Sequence, residues 1–446
     1  MEMLAMRHRF VKVIMAFMLF SSLTTIYAHA EPVNFKDTGK HWAKAQIDEA
    51  VQKGYVNGFP DGSFKPDQPV TRAQFVKMIV TALGLDFAPE GSVWYETYVE
   101  SAKNAGIYQS QDFDAKKMNE NIVRQHMAWL AVRAADDTLH TVESSGITKE
   151  AEINRWPLTA TNNKITRSDA FMRKYYEGFL VHQAFGRGIL NGFGGNVIDL
   201  DRTTTRAQAV TVIERILSLR EGKKLVSDKY ATAEAELLWL KTNAFTMAPH
   251  IFDDPKGVSM RIGYKLENLV FQNATLHSEV KRIILIDLDD AKDPYRKLLP
   301  ETNLLGFRDG NFGKMPSDAY AMYIEYETFT NKNPKQYVGE VTLRTQSYKQ
   351  PSPFPFDKLV QPSVLITKEK GFEHVSSFGP SKGANGVGSG VMVWAIPNSG
   401  YSLNENIGSD KNKPDRIISF TFYTSGYYGD PVTNTIFYGT TTHYSK

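Results

Sequence analysis

The sequence predicts a multidomain α+β protein, with a helical repeat region in its N-terminal half and a β-rich domain in its C-terminal half. Two observations carry this prediction. An aromatic residue, a glycine and an arginine recur at identical separations within apolar patterns of helical period. Beyond residue 222, apolar and polar residues alternate as they do in β-strands. The 446 residues include no cysteine, so we expect an apolar core, and not disulfide bonds, to stabilise the chain.

The N-terminus has the layout of a secretory signal peptide. Basic residues, an apolar run and a small-residue cleavage motif follow one another: Arg7, Arg9 and Lys12, then residues 13–23, then Ala28-His29-Ala30. We therefore expect residues 1–30 to be removed, the protein to be secreted, and no membrane span to remain after cleavage. Cleavage lowers the formal net charge from +3 to about +1, which argues against a nucleic-acid partner bound through bulk charge.

Three copies of one motif make up the helical half. Each predicts a helix that opens at an aromatic residue and ends at a left-handed glycine, then a turn-rich loop, then a second helix that begins at an arginine. The recurring residues are Trp42, Gly54 and Arg72, then Trp94, Gly106 and Arg124, then Tyr176, Gly188 and Arg206. The predicted domains are repeat one at 31–92, a degenerate repeat two at 93–140, an insertion at 141–166, repeat three at 167–222, and a β-rich domain of unknown function at 223–446.

Local chemistry favours the same helix starts. In the first and third copies a threonine precedes the arginine, and a glutamine follows three positions after the threonine, which predicts a capping box at Thr71 and at Thr205. Val123 stands at this place in the second copy, which lacks the box. The loops carry residue types that favour turns and that also suit a groove for sugars: Asn57, Gly58, Asp61 and Gly62 in the first copy, Asn191 and Gly192 in the third.

These segments resemble the S-layer homology family. The match is carried by Phe35-Lys36-Asp37, His41-Trp42-Ala43, Gly54-Tyr55-Val56-Asn57-Gly58, Asp61-Gly62-Ser63-Phe64 and Val70-Thr71-Arg72-Ala73-Gln74-Phe75, and by residues 188–217 of the third copy. The resemblance implies three repeats packed as a pseudo-threefold helical bundle. Its grooves are then expected to bind an acidic, pyruvylated secondary cell wall polysaccharide of a Gram-positive-type bacterium. The protein is expected at the cell wall or S-layer, held there non-covalently.

The resemblance assigns the contact with the acidic sugar to Arg72 and Arg206, and to the less well matched Arg124. Elementary electrostatics supports a nearby anion, because a cation in the first turn of a helix opposes the helix dipole by a few tenths to about 1 kcal/mol. A ligand carboxylate offsets that cost, and so does an acidic side chain of the protein, in which case the arginine only braces the bundle. Both interpretations stay open at this point.

The recurring aromatic residues are also ambiguous, since an aromatic residue at the start of an apolar helix belongs to the core more often than to a sugar platform. We keep them as secondary candidates and favour the core. The predicted polymer-binding residues are Arg72, Arg206, Arg124, Thr71, Thr205, Trp42, Trp94, Tyr176, Asn57, Gly58, Asp61, Gly62, Asn191 and Gly192.

In the C-terminal half a helix is predicted at residues 231–240, followed by the strands of a sandwich-type domain at 282–288, 319–329, 337–345, 391–396, 417–424 and 435–441. Asp287, Asp289 and Asp290 suggest a metal site, but a strand that runs into a turn commonly carries such residues. We expect no cofactor and no metal. No catalytic motif is evident, which favours a display protein without enzymatic activity. A wall-anchored glycan-active enzyme and a self-assembling S-layer lattice protein are the alternatives.

Overall fold

The computed structural model describes residues 34–141, 159–161, 164–166, 169–253, 261, 264, 266–299, 304–308, 311–314, 319–333, 337–347, 361–364, 387–398, 417–426 and 433–440. The predicted signal peptide and most of the predicted insertion lie outside these residues. The chain forms two compact units, residues 1–66 and 67–446.

The first unit contains helix α1 (Lys44–Gln52), which buries Ile47 and Ala50. Gly54 follows this helix with φ at +78°, so the predicted left-handed glycine is confirmed. The start of the unit is tied to its end by the Asp37 carboxylate, which accepts hydrogen bonds from the amides of Phe64 (2.9 Å) and Lys65 (2.8 Å). Burial raises the pKa of Asp37, but these amide hydrogen bonds outweigh it and the net pKa is lowered.

The described residues of the second unit form eight further helices: α2 (Arg72–Ala82), α3 (Glu96–Asn104), α4 (Arg124–Ala135), α5 (Asp169–Gly186), α6 (Arg206–Arg220), α7 (Lys229–Leu240), α8 (Ala244–Met247) and α9 (Pro249–Phe252). Helix α6 packs against α2 and α4, and α5 packs against α4 and α7. Gly106 follows α3 with φ at +73°, and Gly188 follows α5 with φ at +72°, as predicted. The three arginine-led helices α2, α4 and α6 begin at the predicted residues.

Three short backbone segments ahead of these helices form a closed cycle of hydrogen bonds. The Val70 amide donates to the Thr204 carbonyl (2.9 Å), the Thr204 amide to the Ile122 carbonyl (3.0 Å), and the Ile122 amide to the Val70 carbonyl (2.9 Å). Each of these residues lies two positions before one of the arginines. Because every member donates to one neighbour and accepts from the other, the buried backbone groups at the centre are satisfied without any side chain.

The described residues of the second unit also form antiparallel strands: β1 (Thr159–Thr161), β2 (Lys164–Thr166), β3 (Val270–Gln272), β4 (Leu276–Asp287), β5 (Leu304–Arg308), β6 (Asn311–Lys314), β7 (Ala319–Asn331), β8 (Tyr337–Ser347), β9 (Gln361–Val364), β10 (Gly388–Pro397), β11 (Ile417–Gly426) and β12 (Thr433–Thr440). They form sheets of order β10–β7–β4–β3, β12–β11–β8, β6–β5–β9 and β1–β2. The six predicted strands are confirmed as β4, β7, β8, β10, β11 and β12, and so is the α+β class. The sandwich packing stays a prediction.

The four-stranded sheet is joined directly to the helical part. The predicted helix at 231–240 is confirmed as α7, and the loop after it lies along β4. The Ile283 amide donates to the Lys241 carbonyl (2.8 Å), and the Asn243 side chain bonds both the amide (2.7 Å) and the carbonyl (3.1 Å) of Leu285. Residues 283–286 of β4 are fully buried, so this loop pairs backbone groups that have no access to water.

Aspartates at the end of β4 organise a turn. Asp287 accepts from the Asp289 amide (3.1 Å), and Asp290 accepts from the Lys292 amide (2.8 Å), which are local contacts typical of aspartate in turns. Across the part of the chain that the structure describes, no group of three or more His, Cys, Asp or Glu residues is placed to hold a metal ion. Beyond these turn contacts, Asp290 accepts from the Tyr230 hydroxyl and Asp287 lies 3.5 Å from the Lys229 ammonium.

Candidate functional site

Arg72, the first residue of α2, lies almost buried against the second predicted repeat, with 8% of its surface exposed. Its Nη1 donates to the Lys117 carbonyl (2.9 Å) and to the Glu120 carboxylate (3.0 Å). Its guanidinium carbon lies 5.2 Å from the centre of the Phe113 ring. An acidic side chain of the protein therefore already offsets the unfavourable position of this cation at a helix start.

Arg124, the first residue of α4, occupies the corresponding place against the third predicted repeat and is 4% exposed. Its Nε donates to the Ile198 carbonyl (3.0 Å) and its Nη2 to the Asn191 carbonyl (2.7 Å). Its guanidinium carbon lies 4.4 Å from the centre of the Phe193 ring. Within the described residues its hydrogen bonds go to carbonyl oxygens, and no carboxylate pairs with it.

Burial lowers the pKa of Arg124 to about 10. The negative charge of Asp199 opposes this shift, whereas the positive charges of Arg202 and Arg215 add to it. The guanidinium is nevertheless protonated at neutral pH, and it is surrounded by more positive than negative side chains. That environment favours an anion as an additional partner.

Arg206 begins α6 and is half-buried. Its amide donates to the Gln68 carbonyl (2.9 Å), just as the Arg72 amide donates to Glu120 (3.0 Å) and the Arg124 amide to Arg202 (2.9 Å). The residue that accepts in each case lies four positions before an arginine. The three arginines are thus held by one repeated backbone arrangement.

Thr71 and Thr205 are confirmed as N-caps, each within a complete capping box. The Gln74 amide donates to the Thr71 hydroxyl (3.2 Å), and the Gln208 amide donates to that of Thr205 (3.3 Å). Val123 makes no side-chain cap, as the sequence predicts. Capping occupies the hydroxyls of both threonines, so they position the arginines; a direct contact with polymer stays a prediction.

The three recurring aromatic residues have different environments. Tyr176 is buried and its hydroxyl donates to the Leu139 carbonyl. Trp94 is half-buried, with the Lys77 ammonium 5.5 Å from its ring centre. Trp42 is 63% exposed, so the preference for a core position is wrong at this residue. It lies two residues before the first residue of α1, where Ala43 and Ile47 are the side chains that point into the core.

Turn geometry explains most of the loop candidates of the first unit. A Cβ atom on Gly58 would lie 2.0 Å from the Phe35 ring, and Gly62 has φ at +78°. The Asp61 carboxylate accepts from the amide (3.0 Å) and the hydroxyl (2.5 Å) of Ser63. Asn57 is exposed. Binding of sugar by these residues stays a prediction.

In the third predicted repeat, Asn191 and Gly192 contribute backbone groups. The Asn191 carbonyl receives Arg124, and the Gly192 amide donates to the Asp228 carboxylate (3.1 Å), the N-cap of α7. A Cβ atom on Gly192 would lie 3.0 Å from the Val197 carbonyl oxygen, which accounts for the absence of a side chain. Of the predicted residues, the structure brings Arg124 and Asn191 into direct contact.

Four residues around the arginines are absent from the predicted site. The rings of Phe113 and Phe193 lie against Arg72 and Arg124, and Glu120 and Arg202 stand four positions before the next arginine. Aligning the copies by their arginines places Glu120 and Arg202 at one position, so the periodicity contains that signal. It does not say that this position faces the preceding copy, because that contact depends on the packing of the repeats.

Comparison with known families identifies a domain near the N-terminus. A family model described as the S-layer homology domain matches residues 34–76. The chain therefore contains an S-layer homology domain. Arg72 and its capping box lie within it.

Several proteins are similar to this chain over limited regions. An exoglucanase, XynX, of Acetivibrio thermocellus is 29% identical over 199 residues, which cover 42% of this chain and 16% of the relative. A surface layer protein of Brevibacillus choshinensis is 29% identical over 136 residues, or 29% of this chain and 12% of the relative. A cellulosome-anchoring protein of Acetivibrio thermocellus is 42% identical over 48 residues, 11% of each. The chain thus spans only a small part of the length of these relatives.

The S-layer homology domain, together with relatives from surface layers and cellulosome anchoring, supports a secreted protein anchored at the cell surface. The predicted location is confirmed at that level. No helix in the described segments is long and apolar enough to cross a membrane.

Proposed function

We propose that this protein anchors itself non-covalently to a bacterial cell wall by binding an acidic, pyruvylated secondary wall polymer. The binding elements are three S-layer homology repeats packed as a pseudo-threefold bundle, and the β-rich domain is the module that they display. Binding at several grooves on one polymer raises retention by about 10²-fold to 10⁴-fold over a single groove.

The observation that carries the proposal is the repeated pairing of an arginine with an aromatic ring of the following repeat. Arg72 lies over Phe113 and Arg124 lies over Phe193, each at the start of a helix. A guanidinium binds carboxylates in two-pronged geometry. The Phe193 ring, which is 39% exposed, also offers an apolar face to a sugar, whereas the Phe113 ring is buried. This combination suits an acidic saccharide better than a neutral one.

Co-sedimentation of residues 31–446 with purified Gram-positive cell walls tests the proposal. We expect sedimentation to be lost when the secondary polymer is stripped from the walls, and to be strongly reduced by Arg72→Ala with Arg206→Ala. Lys103→Ala with Lys223→Ala is the control for net charge, because it removes the same number of positive charges at exposed positions away from the helix-starting arginines. Walls from which the ketal groups alone have been hydrolysed test the pyruvylated ligand. Undiminished binding to stripped walls would contradict the proposal.

A wall-anchored glycan-active enzyme is the second candidate, favoured by relatives named exoglucanase, amylopullulanase and endo-1,4-beta-xylanase. The same preparation should then release reducing sugar from glucan, starch or xylan. Two carboxyl groups about 5 to 9 Å apart in a cleft would be required for that chemistry. A relative named surface layer protein favours the lattice alternative, in which electron microscopy of the mature chain should show ordered sheets.

A further inference from the structure

We propose that the residue four positions before each arginine sets the charge of the neighbouring groove, and that the groove of Arg124 is the strongest anion site within the second unit. The inference rests on the proposed polymer binding and specifies which groove contributes most to it. The anion is a carboxylate or phosphate group of the wall polymer. This order differs from the sequence-based preference for Arg72 and Arg206.

The positive charge of Arg72 is neutralised by an acidic side chain of the protein itself. Glu120, at the position in question, places a carboxylate oxygen 3.0 Å from Arg72 Nη1. The same carboxylate lies 3.9 Å from the Lys117 ammonium. An acidic ligand must displace Glu120 from Arg72, and it meets the repulsion of that carboxylate if it does not.

The groove of Arg124 has an arginine at the equivalent position. The guanidinium carbons of Arg124 and Arg202 each lie 4.4 Å from the centre of the Phe193 ring, so the two cations are at most twice that distance apart. Arg202 is exposed and Phe193 is 39% exposed, so both are accessible from solvent, whereas Arg124 beneath them is 4% exposed. Arg124 Nη1 makes no hydrogen bond to any residue that the structure describes, so it retains donors for an anion.

The summed charge of the two loop residues does not distinguish the two grooves. Seven positions before the arginine, the second repeat has Lys117 and the third has Asp199, so the pair Lys117 and Glu120 is replaced by Asp199 and Arg202. The order of the two charges is reversed. In one groove the acidic member contacts the helix-starting arginine, whereas in the other the basic member shares its aromatic ring. Arg215, whose charge also acts on Arg124, adds a further cation to the second groove.

The test uses residues 31–446 and polymer-bearing Gram-positive walls at about 0.05 M and about 0.5 M salt, because exposed charge pairs are screened at the higher concentration. We expect Arg202→Gln to weaken binding about tenfold at low salt, because it removes one charge-assisted hydrogen bond to the anion. Glu120→Gln should strengthen binding about threefold, since it releases Arg72. Lys103→Gln and Glu100→Gln are charge-matched controls on the exposed surface of α3.

The outcomes separate this inference from the proposed function. A wild-type chain that does not bind polymer-bearing walls overturns the proposed function itself. Wild-type binding that Arg202→Gln leaves unchanged overturns the inference alone, and so does an equal loss in Lys103→Gln. Weaker binding in Glu120→Gln also contradicts it. Melting temperatures within the range of the two control variants show that the folded state is preserved in each comparison.

Discussion

Removing the carboxylate charge of Asp112 should strongly destabilise the helical part of the protein. Asp112 is the residue before Phe113, and its carboxylate forms an ion pair with Arg133 of α4 at 2.8 Å. The pair is buried: the Arg133 side chain is 1% exposed and the Asp112 side chain 6% exposed. The other carboxylate oxygen accepts from the Gln109 amide at 2.8 Å. This pair therefore fastens the loop that carries Phe113 to the helix core.

Arg133 determines the magnitude. Its side chain also donates to the Trp129 carbonyl at 3.3 Å, while its Nη1 is buried without a partner. Breaking a buried ion pair from one side costs about 3–5 kcal/mol, because the remaining charge is left uncompensated. Asparagine keeps the shape and one acceptor, so we expect Asp112→Asn to lower the free energy of unfolding by about 3 kcal/mol and the melting temperature by roughly 6–12 °C.

Urea unfolding followed by far-ultraviolet circular dichroism measures this loss in residues 31–446. Asp201→Asn, at an exposed position, is the control and should change stability by less than about 0.5 kcal/mol. An apolar replacement of both partners, Asp112→Leu with Arg133→Met, should recover much of the loss. A change below about 1 kcal/mol in Asp112→Asn would refute the reasoning that the pair compensates a buried charge.

Three further changes test the backbone and the buried acid. Burial raises the pKa of Glu236 from 4.5 to about 7. The contribution of this group to stability is therefore present below pH 4.5 and is lost as the pH rises to about 7. Melting curves of Glu236→Gln, recorded across this pH range, should lack this dependence. Gly188→Ala should lower the free energy of unfolding, measured in urea, by more than about 2 kcal/mol, since φ is +72° and the new Cβ atom would lie 2.6 Å from the Val226 carbonyl oxygen. Gly84 is also left-handed but has space for a Cβ atom, so Gly84→Ala should lower it by about 1 kcal/mol. Val123→Thr supplies the missing cap and should stabilise by about 0.5–1 kcal/mol in the same assay. These arguments would be contradicted by a Glu236→Gln variant with the pH dependence of the wild type, by equal losses of stability in Gly188→Ala and Gly84→Ala, or by a Val123→Thr variant no more stable than the wild type.

The sequence was sufficient for features that are determined locally. Helices α2 and α6 begin where a threonine and a glutamine cap the first amides, and the glycines at 54, 106 and 188 take the left-handed angle that ends a helix. Strand β11 lies where apolar Ile418, Phe420 and Phe422 alternate with polar residues. In each case the signal lies within a few residues of the element that it predicts.

Features that depend on distant contacts were not predictable in this way. Strand β7 pairs with β4 and β10, which are separated from it by long stretches of chain, and no local pattern specifies that order. The exposed position of Trp42 has a local cause instead, because α1 begins at Lys44 and not at the aromatic residue, as the motif had predicted. The role of Glu120 depends on its contact with Arg72, 48 residues earlier in the chain.

The backbone cycle explains how the grooves can differ in charge without loss of the common fold. Amides and carbonyls of Val70, Ile122 and Thr204 close the cycle, so the arrangement constrains the backbone and leaves neighbouring side chains unconstrained. Glu120 and Arg202 both accept a hydrogen bond through their carbonyl oxygens, which any residue supplies. Opposite charges are therefore compatible with one backbone position, and substitutions there should change affinity for the proposed ligand while the stability of the helical part stays nearly constant.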